Sequence, residues 1–265
     1  MKRLRWLLTM GIRPVADFET LNYQIMNGLN TSTEAPNTTE TAIGFIPCYR
    51  LPFLSLFHAD CMEIMKQYPN KYFDLAIVDP PYGIGRDGSV RTTSKHGGRK
   101  AHTFKGWDNE TPNEQYFNEL FRVSKNQIVW GANYFTKYLP KSMGWIFWDK
   151  GQRICNSDGE LAFTSFEVAL RVAEYNRVEL LKEGTIHPTQ KPIVLYDWVL
   201  TKYAKENAKI LDTHFGSGSI ALAVDKANRL DKMNLHLTAC EIDKEYINKA
   251  IKRISESIKQ GTLSF

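Results

Sequence analysis

Apolar positions along this chain fall in two alternating rhythms. Short runs rich in branched side chains occupy 54–57, 73–78, 127–131, 144–148, 165–172, 209–213 and 235–240, with the length and composition of buried strands. Between them, apolar residues recur at helical spacing over 61–68, 113–124, 133–139, 193–206, 218–229 and 243–259. This alternation predicts an α/β fold: a seven-stranded, mostly parallel sheet with helices on both faces. Residues 29–42 (LNTSTEAPNTTETA) break the rhythm, being polar and nearly free of large side chains. Residues 1–45 therefore read as an N-terminal extension and flexible linker, of which 1–42 are expected to be dispensable for chemistry, and residues 46–265 as the catalytic domain.

The run at 73–78 ends abruptly in Asp79-Pro80-Pro81-Tyr82. Two prolines cannot extend a strand, and each fixes its own φ and restricts the residue before it. A stiff carboxylate and a stiff ring thus stand at the carboxyl end of a strand, where open α/β sheets build ligand crevices. Such a corner suits a planar amino group such as adenine N6, whose lone pair is delocalised into its ring. Asp79 and the Pro80 carbonyl are two acceptors for its hydrogens, and Tyr82 offers a stacking face.

Residues 209–219, KILDTHFGSGS, read as strand, glycine-rich turn and helix start. Gly216 and Gly218 allow close approach of backbone and ligand. Glu241 closes the next apolar run, 25 residues after Gly216, near the ~20 expected of a carboxylate gripping ribose hydroxyls. Asp212 would repel a pyrophosphate and suits the amino group of an amino-acid moiety, as in S-adenosylmethionine. In His187-Pro188-Thr189-Gln190-Lys191-Pro192, Pro192 fits a first helical turn, and Lys191 with the helix amino end makes a carboxylate site.

DPPY at 79–82, HPTQKP at 187–192, DTHFGSGS at 212–219 and CEID at 240–243, in that order, resemble the permuted beta group of DNA amino-methyltransferases, which modify adenine N6 or cytosine N4. The resemblance covers most of residues 50–258. It implies the seven-stranded, Rossmann-like methyltransferase sheet with one antiparallel strand and a circularly permuted motif order. It implies S-adenosylmethionine as cofactor, bound by His187, Thr189, Lys191, Asp212, Phe215, Gly216, Ser217 and Gly218, with Glu241 and Ile242 at the ribose, Asp60 near the adenine and Asp79 at the methyl. Asp79, Pro80, Pro81 and Tyr82 become the catalytic corner acting on a flipped-out base. DPPY usually marks adenine-N6 enzymes. Cytosine N4, an RNA substrate and a catalytically silent DNA-binding relative stay open. Double-stranded DNA, a homodimer and a cognate restriction endonuclease are the partners the resemblance brings.

Charge locates the nucleic-acid surface. The chain carries a net +5, and residues 86–105 hold six bases (Arg86, Arg91, Lys95, Arg99, Lys100, Lys105) against one acid, also +5. The surplus thus sits in one glycine-dotted loop after DPPY, a DNA-contacting segment over 84–110 by phosphate neutralisation. Residues 150–186 are the candidate target-recognition segment. Four cysteines form no C-x-x-C pair, so no zinc site or disulfide framework is indicated and a cytoplasmic location is expected. No run approaches the ~20 apolar residues of a membrane span. Pro47-Cys48 is similar to the nucleophile dipeptide of cytosine-C5 methyltransferases, but no Glu-Asn-Val partner is present, so Cys48 reads as packing. Trp130, Trp145, Phe147 and Trp148 read as core.

Overall fold

A computed structural model describes residues 45–88, 101–151, 157–176 and 183–263, which fall within one unit, Ile43–Phe265. The proposed N-terminal extension, apart from Phe45, lies outside the described residues.

Each strand keeps a period of two, and this divides the core into two faces. Leu75 and Ile77 of β3 (Phe73–Val78) pack on one side with Ile128 and Trp130 of β4 (Ser124–Trp130). Ala76, Val78 and Val129 pack on the other. The strands are therefore buried on both faces, as a helix-covered parallel sheet requires. Helices α3 (Ile193–Tyr203), α4 (Ser219–Leu230) and α5 (Lys244–Leu263) cover the first face. Helices α1 (Cys61–Met65) and α2 (Glu114–Val123) cover the second. In α2 the apolar stripe Tyr116, Phe117, Leu120 and Val123 is buried, and Asn113 caps the first turn by accepting the Tyr116 N–H.

The remaining strands are β1 (Tyr49–Leu51), β2 (Leu54–His58), β5 (Trp145–Asp149), β6 (Gly159–Thr164), β7 (Arg171–Glu174), β8 (Lys209–Asp212) and β9 (His236–Glu241). Their order in the sheet is β1-β2-β9-β8-β3-β4-β6-β5-β7. Strand β6 is antiparallel to both neighbours and β1 is antiparallel to β2; the other pairings are parallel. The chain leaves β8 toward β9 and leaves β3 toward β4, so the order reverses between β8 and β3, where such sheets bind ligands.

Four expectations are corrected. Among the described residues the sheet has nine strands rather than seven, because a short edge strand joins each side. The run at 165–172 is not one strand: β6 ends at Thr164, β7 begins at Arg171, and a bend separates them. The helical pattern at 133–139 yields only a 3₁₀ turn, Ala132–Tyr134, then turns running up to Pro140. Cys48 is exposed rather than packed in the core, its Sγ–H donating to the Leu56 carbonyl.

Candidate active site

The end of β3 delivers Asp79 to the point of strand reversal. Its Oδ1 accepts the Tyr82 hydroxyl at 2.5 Å, and its Oδ2 lies 2.6 Å from Lys191 Nζ. Lys191 also donates to Tyr82 Oη at 3.2 Å and lies 3.2 Å from Glu160 Oε2, whose other oxygen is 2.6 Å from Lys150 Nζ. Lys150, Glu160, Lys191 and Asp79 thus form a row of alternating charge. Burial works against the Lys191 ammonium, but Asp79 and Glu160 outweigh it and push its pKa up. Burial also pushes the Asp79 carboxyl up, a rise that Lys191 only partly offsets. The Tyr82 ring stacks on Tyr134 at 5.1 Å. Gly131, at φ +68°, lies so close that a Cβ there would stand 2.1 Å from Tyr82 Cε1. Only glycine permits that approach.

Two adjoining cavities meet at this corner. The larger, about 630 Å³, is lined by Asp79, Pro80, Tyr82, Tyr134, Trp148 and Glu160, among others. The smaller, about 400 Å³, is lined by Phe215, Gly216, Ser217, Glu241, Ile242 and Tyr246, among others. Asp79, Lys191, Thr189, Gln190 and Trp107 border both. Both volumes are those of small-molecule sites.

The smaller cavity is built by the turn after β8 and the end of β9. Gly216 and Gly218 take φ of +50° and +71°. The Gly216 N–H donates to Glu241 Oε2 and the Asp243 N–H to Oε1, each at 2.9 Å. Both oxygens keep acceptor capacity for vicinal hydroxyls, and the exposed Ile242 side chain supplies an apolar wall beside them. Burial holds His187, which lines this cavity, down at about 3, so its ring is neutral.

Several expected cofactor residues are engaged by the chain itself. Asp60 is the N-cap of α1, accepting the Met62 N–H, and is not among the residues lining the cavity. Gly218 caps α4. Lys191 sits on Asp79, and the amino end of α3 is taken by the chain's own Glu183, which accepts the Ile193 N–H at 2.8 Å. Pro192 is the N-cap, one residue before the first turn. Asp212 is buried behind the cavity wall and accepts the His214 N–H. Trp145 and Phe147 are half-buried, and Phe147 and Trp148 line the larger cavity.

Asp212 has a consequence for stability. Burial pushes its carboxyl up to about 7; the His214 N–H pulls the other way, and Asp79 adds to the rise. A folded-state pKa above the unfolded value near 4 means the native protein holds the extra proton between those limits. Stability from this group therefore falls as pH rises through that window. His187 and His214, lowered by burial to about 3 and about 4, act oppositely, removing stability as pH falls below 6.5. Asp212→Asn removes only the first effect. Relative to the parent protein, the variant is expected to melt several degrees higher at pH 8 than it does at pH 5. A difference independent of pH would contradict a proton-retaining Asp212.

Sequence reasoning missed Glu160, Lys150, Trp107 and Asp108. Asp108 Oδ1 accepts the N–H groups of Tyr82 and Gly83, and Oδ2 accepts that of Arg86, at 2.7–2.9 Å. It ties residues 106–108 to the DPPYG corner. Arg86 is exposed at the mouth of the larger cavity. Lys105 is not a free cation: Asp243 and Glu245 hold it at 2.6 and 2.7 Å, and the Tyr246 ring lies beneath it. Arg91, Lys95, Arg99 and Lys100 lie outside the described residues. No group of three or more metal-ligating side chains is clustered among the described residues, and no helix there is long and apolar enough to cross a membrane.

The family model described as DNA methylase, for N6/N4 methyltransferases, matches residues 129–252. The type II methyltransferase M2.LlaDCHI of Lactococcus lactis subsp. cremoris is 24% identical over 263 residues, covering 81% of this chain and 94% of its own. M2.DpnII of Streptococcus pneumoniae is 25% identical over 256 residues, covering 78% and 92%. The PvuII DNA methyltransferase, titled cytosine-N4-specific, shares the fold with a TM-score of 0.54 at 12% identity, over 79% of this chain and 89% of its own. With the DPPY corner and glycine turn set at the point of strand reversal, the chain is similar in sequence to the DNA N6/N4 methyltransferases and shares their fold.

Proposed function

We propose that this protein transfers a methyl group from S-adenosylmethionine to adenine N6 in double-stranded DNA. The observation that carries this reading is the meeting of two cavities at Asp79. One suits a nucleoside-bearing donor: Glu241 for ribose hydroxyls, Ile242 for the flat adenine, and the glycine turn for the amino-acid end. The other suits a base taken out of the duplex, at a cost of a few kcal/mol. S-adenosylmethionine supplies, when bound, a methyl group on a sulfonium centre. The chain's own residues do the rest. Asp79 and the Pro80 carbonyl receive the two amino hydrogens and turn the nitrogen lone pair toward the donor cavity. Tyr82, locked between Asp79, Tyr134 and Gly131, fixes the plane of the corner. With the donor bound, methyl transfer would leave a neutral thioether and one proton too many on the nitrogen; the Asp79 carboxylate, already accepting one of its hydrogens, would take that proton and pass it to water. Held in place, the reactants gain from orientation and preorganised acceptors.

DPPY in place of SPPY favours adenine. Cytosine N4 is the second reading, since the same corner accepts either amino group. A tritiated-methyl transfer assay followed by nucleoside digestion tests both. Label is expected in N6-methyldeoxyadenosine. Label in N4-methyldeoxycytidine would replace the base but keep the chemistry, and absence of label from DNA would overturn the reading.

A further inference from the structure

Lys191 Nζ stands between two carboxylates at unequal distances, 2.6 Å from Asp79 and 3.2 Å from Glu160. Glu160 is held tightly on one side and loosely on the other. Its Oε1 is fixed by Lys150 at 2.6 Å, whereas its buried Oε2 has only the longer ion-pair contact with Lys191 at 3.2 Å. The fold explains how Glu160 comes to be there. Strand β6 runs against its neighbours, so its first residues arrive at the end of the sheet where the parallel strands finish. Its register sets Glu160 opposite Trp148 of β5, with Lys150 two residues further on.

Amino methylation asks Asp79 to receive a neutral amine where an ammonium already sits. Lys191 is only 3% exposed, so its charge cannot retreat into water. A buried charge stripped of its partner is strongly disfavoured. The ammonium leaves Asp79 only if a second anion stands within reach of the same side chain. Resting on the methylation reading above, we propose that Glu160 is that anion: a positioning residue that takes up Lys191 when the target amino group claims Asp79. No bond is made or broken in this exchange, and the count of two acids and two ammonium groups is unchanged. Burial works to raise the Glu160 carboxyl, but Lys191 and Lys150 beside it hold it down at about 2, so the receiving group is ionised throughout. Lys150 anchors it without occupying the oxygen that Lys191 needs.

Lys191 competes with the base at Asp79, and Glu160 does not line the donor cavity. Loss of the anion at 160 therefore falls on DNA and not on the donor. Glu160→Gln is expected to lower kcat/KM for DNA by about tenfold or more, with S-adenosylmethionine affinity by calorimetry within about twofold of the parent. Lys191→Met removes the competitor, so adding Glu160→Gln to it should cost less than about twofold further. A merely structural Glu160 would give the same loss in both backgrounds. Glu160→Gln/Lys150→Met leaves no orphaned charge in the hairpin; it should show the loss of the single variant and serves where that variant does not fold. Full DNA turnover in Glu160→Gln, or a loss undiminished in the Lys191→Met background, overturns the proposal. A parent protein that methylates no DNA overturns the methylation reading instead.

Discussion

Asp79→Ala is expected to lower methyl transfer by about 10²–10³ while leaving donor affinity within a few-fold, the scale of losing one preorganised group at the reacting centre. The carboxylate is part of the wall common to both cavities. Removing it deletes the acceptor that draws the target amine out of conjugation. It leaves the Gly216–Glu241 contact untouched, and that contact builds the donor side. The fold should survive, because Lys191 falls back on Glu160, already 3.2 Å away. Rapid-quench single-turnover assays would read the chemical step, and calorimetry the donor. Intact turnover would remove Asp79 from the chemistry. A collapse of donor binding with it would make Asp79 a cofactor residue instead.

What could be read in the sequence, and what could not, follows from where the information lies. Asp79, the Gly216–Gly218 turn and Glu241 each sit where an apolar run stops, so a local discontinuity marks them, and the sheet brings the three ends together. The helix amino end at Pro192 also looked local, but its orphan N–H is met by Glu183, nine residues upstream of Pro192 and ten from Ile193. Lys191 is then free to face Asp79. Glu160 carries no such mark. It opens a strand, GELAFT, whose charged start argues against burial, and the more strand-like run SFEVALRV beside it drew the assignment away. Its role comes from long-range pairing of β6 with β4 and β5, which periodicity does not encode. The basic loop shows the converse. Six charges close in sequence read as one surface, yet Lys105 is bound to Asp243 and Glu245 at the wall of the donor cavity. Asp87, the acid within that stretch, is buried and accepts the backbone N–H groups of Lys105 and Gly106.

Asp108→Ala should show that the prolines do not hold the catalytic corner alone. Three backbone N–H groups, from Tyr82, Gly83 and Arg86, converge on this buried carboxylate. Truncation leaves them partly buried without acceptors, each at about 1–3 kcal/mol, so a total loss of about 3 kcal/mol or more is expected. For a domain of this size that corresponds to a melting temperature lower by about 6–12 °C. Activity should fall further than stability explains. Tyr82 is placed by the same N–H that Asp108 accepts, and its hydroxyl orients the Asp79 carboxylate. A small rotation of the corner therefore moves the acceptor itself, and misplacement near 1 Å costs about a hundredfold in rate. Asp108→Asn keeps one oxygen: set on Tyr82 and Gly83 it preserves two contacts and loses the third at Arg86, so it should fall between the parent and the alanine variant in both melting temperature and transfer rate. Thermal denaturation alongside single-turnover methyl transfer separates the two effects. An alanine variant that melts and turns over like the parent would mean that Pro80 and Pro81 fix the corner unaided.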